Sequence, residues 1–396
     1  MFQDLGRDNR LLMVALVIWA LGEGLWLNIR QLYLVELGAA PEQVGIALAI
    51  EAVVRGMLPL PAGYVADRIG PHRLMIASFV LGIAGPAVMA LAHSWAWVVP
   101  GLVVYAASSF AVPAINAYAL LSLPDRDAPG IASRAVSTVF AAYYAGLIIS
   151  PWVGGIIAEA YSIRMTLWIA SIVFLLSTLV VLQTRAVSPQ PRPTGEHPTE
   201  LLRDKRFLSL TGFYILALLT VQIGFPLAPN YVQEVRGFSF QQIGLLLSLL
   251  SAGTVAVNMI LGRVSMRWNF AGVLVVNWLA LLILWRIPGF AGNMLAFFLL
   301  GGLGTARVLA TAGLAVAVHP HNRAFAFGIF ESLLSLQMAL AAWIAGGLYS
   351  LTTGHRLPFL VGLLTAPLAI VLWFVLRLGR YPALAHQETR AAASLD

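Results

Sequence analysis

The sequence predicts an all-α membrane protein with 12 transmembrane helices in two pseudo-symmetric six-helix halves. Of its 396 residues, 60% are hydrophobic and only 10% are charged, and the mean hydropathy is +0.85. A water-soluble domain of that composition lacks the polar groups to cover its surface, so lipid is the expected solvent. Twelve segments have the roughly 20 apolar residues that a spanning helix needs, and they are far too long for barrel strands. The predicted spans are 11–35, 43–62, 74–93, 96–121, 135–158, 164–184, 207–233, 241–262, 270–287, 291–318, 324–350 and 357–378.

An internal repeat divides these spans into two halves. The polar segment Gly63–Arg73, between spans 2 and 3, has an echo in Gly262–Asn269, 199 positions downstream. At the same offset, Gln43–Leu48 aligns with Gln242–Leu247 in the preceding helix. A shared offset across a helix and its following loop is expected of two related halves, and such internal symmetry is typical of membrane transporters.

Composition also predicts the domain limits. The N-terminal half is expected over 1–184 and the C-terminal half over 207–378, followed by a cytoplasmic tail over 379–396. The linker between them, 185–206, contains four prolines and a basic run, which suit a cytoplasmic bridge rather than a helix. The first span is too long for the core of a signal peptide and lacks a convincing cleavage site, so we expect it to be retained.

The distribution of positive charge predicts the orientation. Of the 24 basic residues, 17 fall on one side of the predicted membrane and four on the other. This bias places both termini in the cytoplasm. The net charge of +7 is therefore interpreted as topology rather than as a nucleic-acid partner. Only one basic residue is a lysine, which indicates a GC-rich genome and a protein of the bacterial cytoplasmic (inner) membrane.

The polar segment after span 2 contains Gly63, Asp67, Arg68, Gly70 and Arg73. It resembles the loop between helices 2 and 3 of major facilitator superfamily transporters, whose pattern is G-x-x-x-D-R-x-G-R-K/R, although a Pro-His pair replaces the usual basic pair. The echo in the second half keeps a glycine and an arginine but has methionine in place of the acid. Together with the twelve spans and the central linker, the resemblance covers nearly the whole chain and implies the major facilitator fold.

The resemblance also implies a role for this loop in gating. In the superfamily, the acid contacts the start of helix 11 and latches the outward-facing state, and here that start lies near 323–327. From the residues alone, Asp67 follows a helix end beside Arg68 and Arg73, where it is placed to pair locally or to cap another helix. The alternative interpretation is that the charges of this segment only set the membrane topology.

Span 5 contains Gly146, Pro151, Gly154 and Gly155 in a pattern similar to the antiporter signature G-x-x-x-G-P-x-x-G-G, with Ser150 where the signature has glycine. Small residues at this spacing let helices approach closely, and the proline removes a backbone hydrogen bond. Ordinary helix packing is the alternative interpretation. The chain thus resembles the 12-helix drug/proton antiporter branch, but the arginine signature of helix 4 in proton-driven drug exporters is missing.

Charges inside the membrane are the strongest functional signal that does not depend on the resemblance. Each costs at least about 2.5–3.5 kcal/mol on insertion scales, so it normally faces a cavity or a partner. Helical rise and antiparallel packing predict ion pairs of Glu23 with Arg55 and of Arg30 with Glu51, or one network of all four. Arg307 and Glu331 are placed to pair with each other, unless Glu331 reaches Arg55. The six intramembrane ionisable residues are Glu23, Arg30, Glu51, Arg55, Arg307 and Glu331.

Structural pairing is one interpretation of these charges, and a proton or substrate site is the other. A carboxylate in a low-dielectric cavity can load and release a proton as ion pairs open and close. All seven histidines fall in loops, tails or span ends, so proton coupling is assigned to Glu23, Glu51 and Glu331. Glu23 is the first choice because it lies near the mid-depth at which these folds bind substrate.

The remaining candidates are polar or aromatic. Gln222 is the repeat counterpart of Glu23, so the acid belongs to one half only. Aromatic residues such as Trp26 and Tyr143 are placed to line a cavity, but packing or an interface position is the preferred interpretation. The candidate ion-pair or substrate-binding residues are Arg30, Arg55, Arg307, Gln222 and Asn258.

Two functions compete on these observations. The first is a secondary transporter that exports an amphipathic or cationic organic compound in exchange for protons by alternating access. The alternative is a carrier for a specific organic anion or metabolite, bound by the arginines without proton antiport. A receptor or scaffold is less favoured, and the chain has no cysteine, nucleotide-binding loop, metal cluster or nucleophile constellation to predict an enzyme or a cofactor. The expected partners are a small-molecule substrate, protons and the lipid bilayer, with the protein acting as a monomer.

Overall fold

A computed structural model describes residues 6–58, 70–123, 131–187, 201, 203–318 and 323–376 of the chain. Those residues fold into α-helices joined by short turns, with one 3₁₀ turn at Ser108–Phe110. In chain order the helices are α1 (Gly6–Trp26), α2 (Arg30–Glu36), α3 (Pro41–Met57), α4 (Pro71–Ala90), α5 (Trp95–Ala107), α6 (Ala111–Leu121), α7 (Ile131–Ala160), α8 (Ile163–Val181), α9 (Lys205–Gln222), α10 (Ala228–Glu234), α11 (Phe240–Leu261), α12 (Met266–Arg286), α13 (Phe290–Leu300), α14 (Gly302–Ala317), α15 (Arg323–Ser350) and α16 (Leu357–Val375).

Over its described residues, each of the twelve predicted spans overlaps with a helix or with two helices in succession. Ten helical stretches of the described residues are long and apolar enough to cross a bilayer. The two shorter cases are span 2, whose helix α3 has 17 residues, and span 7, which a turn divides into α9 and α10. The chain is therefore an all-helical, multi-pass membrane protein.

The helix pattern repeats between the two halves of the sequence, including its interruptions. The first predicted span of each half is broken into two helices, α1 with α2 and α9 with α10. The fourth is broken in the same way, α5 from α6 and α13 from α14. The repeat seen in two short sequence segments thus extends to the positions at which helices end and restart.

By internal contacts the chain forms two compact units. Unit one comprises 1–194 and 229–248, and unit two comprises 195–228 and 249–396. In unit one, α1 packs mainly against α7 and α8, and α4 packs against α5 and α8. The indole of Trp19 lies between two phenyl rings, with centroids 4.6 Å from Phe79 and 4.2 Å from Phe174.

The core of unit two contains a cluster of large aromatic rings. Tyr214 and Trp373 both pack on Phe270, with ring centroids 4.7 and 5.2 Å apart. All three side chains are almost fully buried. The indole N–H of Trp373 donates to the carbonyl of Arg267 at 2.8 Å, so its one polar group is satisfied inside the core.

The small residues of α7 bring it into close contact with α1. A Cβ on Gly146 would lie 2.7 Å from the Cβ of Ala20, and one on Gly154 would lie 2.7 Å from the Cα of Leu25. Because the second obstacle is backbone, a side chain at Gly154 requires the two helices to separate. The glycine pattern therefore sets the distance between α1 and α7.

Ser150, which departs from the antiporter signature, fits this contact. Its hydroxyl lies 3.1 Å from the carbonyl oxygen of Ala20 and 2.9 Å from that of Gly146, so it can donate to either. A Cβ on Gly24 would overlap the Ser150 hydroxyl, which explains the absence of a side chain at that position of α1. The glycine of the signature is thus replaced by a serine in α7 and compensated by a glycine in α1.

On its other side, the end of α7 packs against residues 240–248 of α11, which belong to the same unit. A Cβ on Gly155 would lie 3.0 Å from the Cα of Gly244, so the two glycines face each other. The hydroxyl of Ser248 accepts a hydrogen bond from the backbone N–H of Trp152 at 3.0 Å. The motif therefore supports packing on two sides of α7, and whether it also serves antiport stays a prediction.

We expect Gly154→Ala to destabilise the protein by about 1–3 kcal/mol, the usual penalty for adding a methyl group to a full contact. The measurement is the apparent melting temperature of detergent-purified protein. Gly212→Ala is the matched control, because this α9 glycine is exposed and a Cβ there meets nothing within 4 Å. Equal melting temperatures for the two variants would contradict the packing argument.

Candidate functional site

Unit one holds four of the six intramembrane charges, and three of them form one cluster around Glu51. Its Oε2 accepts from Nε of Arg30 at 2.7 Å, and its Oε1 accepts from Nη2 of Arg55 at 2.8 Å. The carboxylate is 2% exposed, whereas Arg30 and Arg55 are 20% and 33% exposed. We call these three residues the Glu51 cluster. Two guanidinium groups on one buried carboxylate leave the cluster with a net charge of +1.

Local sequence explains how the cluster forms. Glu51 and Arg55 are four residues apart on α3, a spacing that places their side chains on one helix face. Arg30 begins α2, just after the turn that ends α1 at Trp26. It also donates from Nη1 to the carbonyl of Leu27, a backbone group that the helix break leaves available. The break between α1 and α2 therefore leaves the Leu27 carbonyl available, and Arg30, the first residue after the break, donates a hydrogen bond to it.

Glu23 is the fourth charge, and its partner is a tyrosine. The hydroxyl of Tyr143, on α7, donates to Oε2 of Glu23 at 2.6 Å, and the Glu23 side chain is only 6% exposed. Among the described residues, no guanidinium group is hydrogen bonded to it. Arg55 and the buried Tyr105 lie close enough to interact with it electrostatically. Glu23 is thus a buried carboxyl group held by a neutral donor.

Aromatic rings surround this carboxyl group. Trp26, one turn along α1, packs edge-on against Tyr105 with ring centroids 4.7 Å apart. The Trp26 ring is fully buried, and its indole N–H has no hydrogen-bond partner in the described residues. The guanidinium of Arg55 lies 6.0 Å from the centroid of Tyr105. The surroundings of Glu23 therefore consist of aromatic rings and the guanidinium group of Arg55.

The predicted pair of Arg30 with Glu51 is correct, but the predicted pair of Glu23 with Arg55 is wrong, and the predicted network of all four residues is reduced to the three of the Glu51 cluster among the described residues. Antiparallel packing brings Glu23 and Arg55 to similar depth, but depth does not fix the angle at which a side chain leaves its helix. Arg55 already has a carboxylate one turn away on its own helix, and Tyr143 from α7 takes the place expected for it at Glu23. Packing is the preferred sequence interpretation of Tyr143, but a polar hydroxyl group in an apolar span indicates a hydrogen-bond partner, and that partner is Glu23.

Unit two holds the remaining two charges, and they pair as one of the sequence alternatives predicts. Nε of Arg307, on α14, lies 3.2 Å from Oε1 of Glu331 on α15, and a second bond joins Nη2 to Oε2. This is a bidentate pair, the geometry in which arginine binds a carboxylate best. It is much more exposed than the Glu51 cluster, at 53% for Arg307 and 33% for Glu331.

The two neutral candidates lie at helix ends. Gln222 is the last residue of α9 and is half-buried, and its carbonyl accepts from the N–H of Phe225 in the turn that follows. Asn258 is half-buried in the last turn of α11, with its carbonyl bonded to Gly262 N–H at 2.8 Å. Substrate binding by either side chain stays a prediction.

The predicted gating loop is described only at its end. Gly63, Asp67 and Arg68 lie outside the described residues, so their latch role stays a prediction. Gly70 precedes α4 with φ of +90°, a conformation that favours glycine, and Pro71 follows at the first helical position. Arg73 is exposed on the first turn of α4.

With this geometry in hand, the chain can be compared with known proteins. A family model described as Major Facilitator Superfamily matches residues 8–284 and 210–395. The chain belongs to the Major Facilitator Superfamily. Its fold is therefore that of a family of membrane transporters.

Curated relatives of this superfamily member include multidrug resistance protein MdtH of Yersinia enterocolitica serotype O:8 / biotype 1B, which is 28% identical over 211 residues. The match covers 51% of this chain and 50% of the relative. MdtH of Yersinia pestis (strain Pestoides F) matches with the same identity and coverage. The chain spans about half the length of the curated relatives it matches.

Solved structures extend the similarity of fold over 94% of the chain. The nucleoside transporter NupG aligns with a TM-score of 0.76 at 16% identity, covering 94% of this chain and 99% of NupG. A bacterial homolog of the human lysosomal transporter Spinster aligns with a TM-score of 0.74 at 14% identity, covering 94% and 96%. At such identities the structures establish the superfamily fold alone.

We expect Glu51→Gln to be the most destabilising neutralisation among the intramembrane acids. It leaves two arginines without their carboxylate, and breaking a buried ion pair from one side costs about 3–5 kcal/mol. Glu331→Gln is the matched control and should cost less than about 1 kcal/mol, because its pair is partly exposed. Apparent melting temperatures and purified yields compare the two, and a smaller effect at Glu51 would refute the ranking.

Proposed function

We propose that this superfamily member is a secondary active transporter that exports amphipathic or cationic organic compounds in exchange for protons. It works by alternating access in the bacterial cytoplasmic membrane, with both termini in the cytoplasm, and it acts as a monomer. The six-helix halves 1–184 and 207–378 are the moving parts, joined by the linker 185–206. The loop from Gly63 to Arg73 latches one of the two states.

The observation that carries this proposal is the environment of Glu23. Its carboxyl group is buried and hydrogen bonded to Tyr143, while Arg30 and Arg55, the intramembrane arginines of unit one, are bonded to Glu51. An isolated charge is unfavourable at such a buried position, so the Glu23 carboxyl group is suited to bind a partner of opposite charge. A proton and a cationic substrate then compete for one group, which is the simplest basis for antiport.

The rings around Glu23 support the choice of substrate. Trp26, Tyr105 and Tyr143 provide apolar surface and aromatic faces beside a single acid. Such a lining suits a bulky apolar compound that carries a positive charge, since cations are attracted to aromatic faces and to a carboxylate. The similarity to proteins named multidrug resistance protein MdtH is in keeping with this class of substrate.

A carrier for an organic anion is the second candidate, and Arg307 is the observation that favours it. Its guanidinium is 53% exposed although it lies within a predicted span, and its partner Glu331 is partly exposed too. A carboxylate or phosphate on a substrate can replace Glu331 in a bidentate contact. On this second model Glu331 is the carboxylate that the substrate displaces, and Glu23 carries no proton for transport.

Proton movement in proteoliposomes tests the proposal. Vesicles are prepared acidic inside, a pH dye reports the lumen, and tetraphenylphosphonium, a neutral analogue and an organic anion are added in turn. The proposal predicts proton efflux on addition of the cation, and loss of that efflux to the level of empty liposomes in Glu23→Gln. Glu36→Gln is the control, because Glu36 is an exposed acid at the end of α2, just past the predicted span 11–35.

The same experiment separates the two candidates. If an anion is carried without a proton signal, and Arg307→Gln but not Glu23→Gln abolishes its uptake, the anion carrier is correct and the antiport proposal fails. A Glu23→Gln variant with the proton efflux of wild type would also exclude Glu23 as the exchanging group. Size-exclusion profiles of the purified variants establish that each is folded.

A further inference from the structure

The connection between α11 and α12, in unit two, carries two exposed arginines. Arg263 lies in the turn after α11, and Arg267 lies in the first turn of α12. Neither guanidinium group forms an ion pair within the part of the chain that the structure describes. Arg267 is the repeat counterpart of Arg68, and Met266 occupies the position of Asp67. The second half therefore has the arginine of the polar segment without the acid beside it.

An exposed indole ring lies directly beside Arg267. The guanidinium carbon of Arg267 is 5.2 Å from the ring centroid of Trp268, which is a cation–π contact. The Trp268 side chain is 52% exposed, and its ring packs on Phe374 of α16 with centroids 5.2 Å apart. The surface thus combines positive charge with two partly exposed aromatic rings.

The backbone beneath this surface is anchored to α16. The indole N–H of Trp373 donates to the carbonyl oxygen of Arg267 at 2.8 Å, and Trp373 is almost fully buried in the core of unit two. The next residue, Trp268, contacts Phe374 on the same helix. Two neighbouring residues of α12 are therefore fixed to α16 before any ligand binds, and a preformed surface loses less conformational entropy on binding than a mobile loop does.

An exposed apolar face extends from these rings along both helices. On α12, Val275 and Leu279 follow Trp268 at intervals of seven and four residues, so the three exposed side chains share one helix face. In a membrane span, an exposed apolar face contacts lipid acyl chains, and basic and aromatic residues at its end lie at the level of the headgroups. The exposed apolar residues on the corresponding face of α16 are Leu364, Leu368, Val371, Leu372 and Val375.

We propose that this surface binds an anionic phospholipid, with its phosphate at Arg267 and Arg263 and its acyl chains along α12 and α16. Charge complementarity selects an anionic headgroup, because the arginines have no acid to neutralise them and guanidinium groups bind phosphate well. The apolar face selects a lipid over a free phosphate ion, because only a lipid covers both the arginines and the rings. By the predicted orientation, the lipid belongs to the cytoplasmic leaflet.

Lipid binding to the purified full-length protein tests this proposal. Delipidated protein in detergent is titrated with dioleoyl phosphatidylglycerol or dioleoyl phosphatidylcholine, and native mass spectrometry gives the dissociation constant of the first bound lipid. Millimolar inorganic phosphate is added as a competitor in a separate titration. The variants are Arg263→Gln, Arg267→Gln, the double variant and Trp268→Ala. Arg286→Gln is the matched control, since Arg286 is exposed at the other end of α12 and lies 4.6 Å from the ring of Trp285.

The expected result is a loss of affinity that depends on the headgroup. One basic residue near a membrane surface contributes about fivefold to the binding of anionic lipid, so each single arginine variant should bind phosphatidylglycerol about fivefold more weakly and the double variant about 30-fold more weakly. Their binding of phosphatidylcholine should stay near wild type. Trp268→Ala should weaken the binding of both lipids, because it removes apolar contact, and Arg286→Gln should match wild type.

Several outcomes would overturn the proposal. Equal affinity of wild type for the two lipids, or wild-type affinity in the double variant, would exclude recognition of the headgroup by these arginines. An equal loss in Arg286→Gln would mean that only the general surface charge matters. Displacement of phosphatidylglycerol by inorganic phosphate would indicate a site for free phosphate. A dimer that survives delipidation and dissociates in Trp268→Ala would mean that a second copy of the chain covers this face.

Discussion

The unfavourable free energy of an unpaired charge in a low-dielectric interior governs the arrangement of this protein. Six acidic or basic side chains lie well inside its predicted spans, and five of them belong to ion pairs. The sixth, Glu23, is bonded to a tyrosine hydroxyl. Each partner comes from a particular helix position, so the packing of α1, α2, α3 and α7 in unit one is tied to the charges they carry.

The close contact between α1 and α7 is the second constraint on the structure, and it allows the hydrogen bond that satisfies Glu23. Tyr143 reaches Glu23 because α7 lies against α1, and the glycines of α7 allow that approach. Ser150 occupies the position at which the antiporter signature has glycine, and Gly24 on the facing helix α1 leaves space for its hydroxyl group. The motif is best understood as a property of two helices rather than of one.

The difference between the two units bears on the chemistry. Unit one has a deeply buried cluster with more positive than negative partners around Glu51, and an acid beside it that lacks a bonded cation. Unit two has one bidentate, partly exposed pair between Arg307 and Glu331. Among the described residues, the Glu23 carboxyl group is therefore free of the two guanidinium groups that hold Glu51, which is why the proposed function assigns the exchange to Glu23.

The sequence by itself determined the all-helical membrane class, because the apolar length of a segment is a local property of the chain, and the resemblance of the Gly63–Arg73 segment indicated the family. It also determined the pair of Arg30 with Glu51, since depth along a helix follows from residue count. Only the tertiary structure decided that Arg55 bonds Glu51 and that Tyr143 bonds Glu23. Those contacts depend on the rotation of each helix about its axis and on which helices are its neighbours. The spacing of residues along the sequence predicts neither.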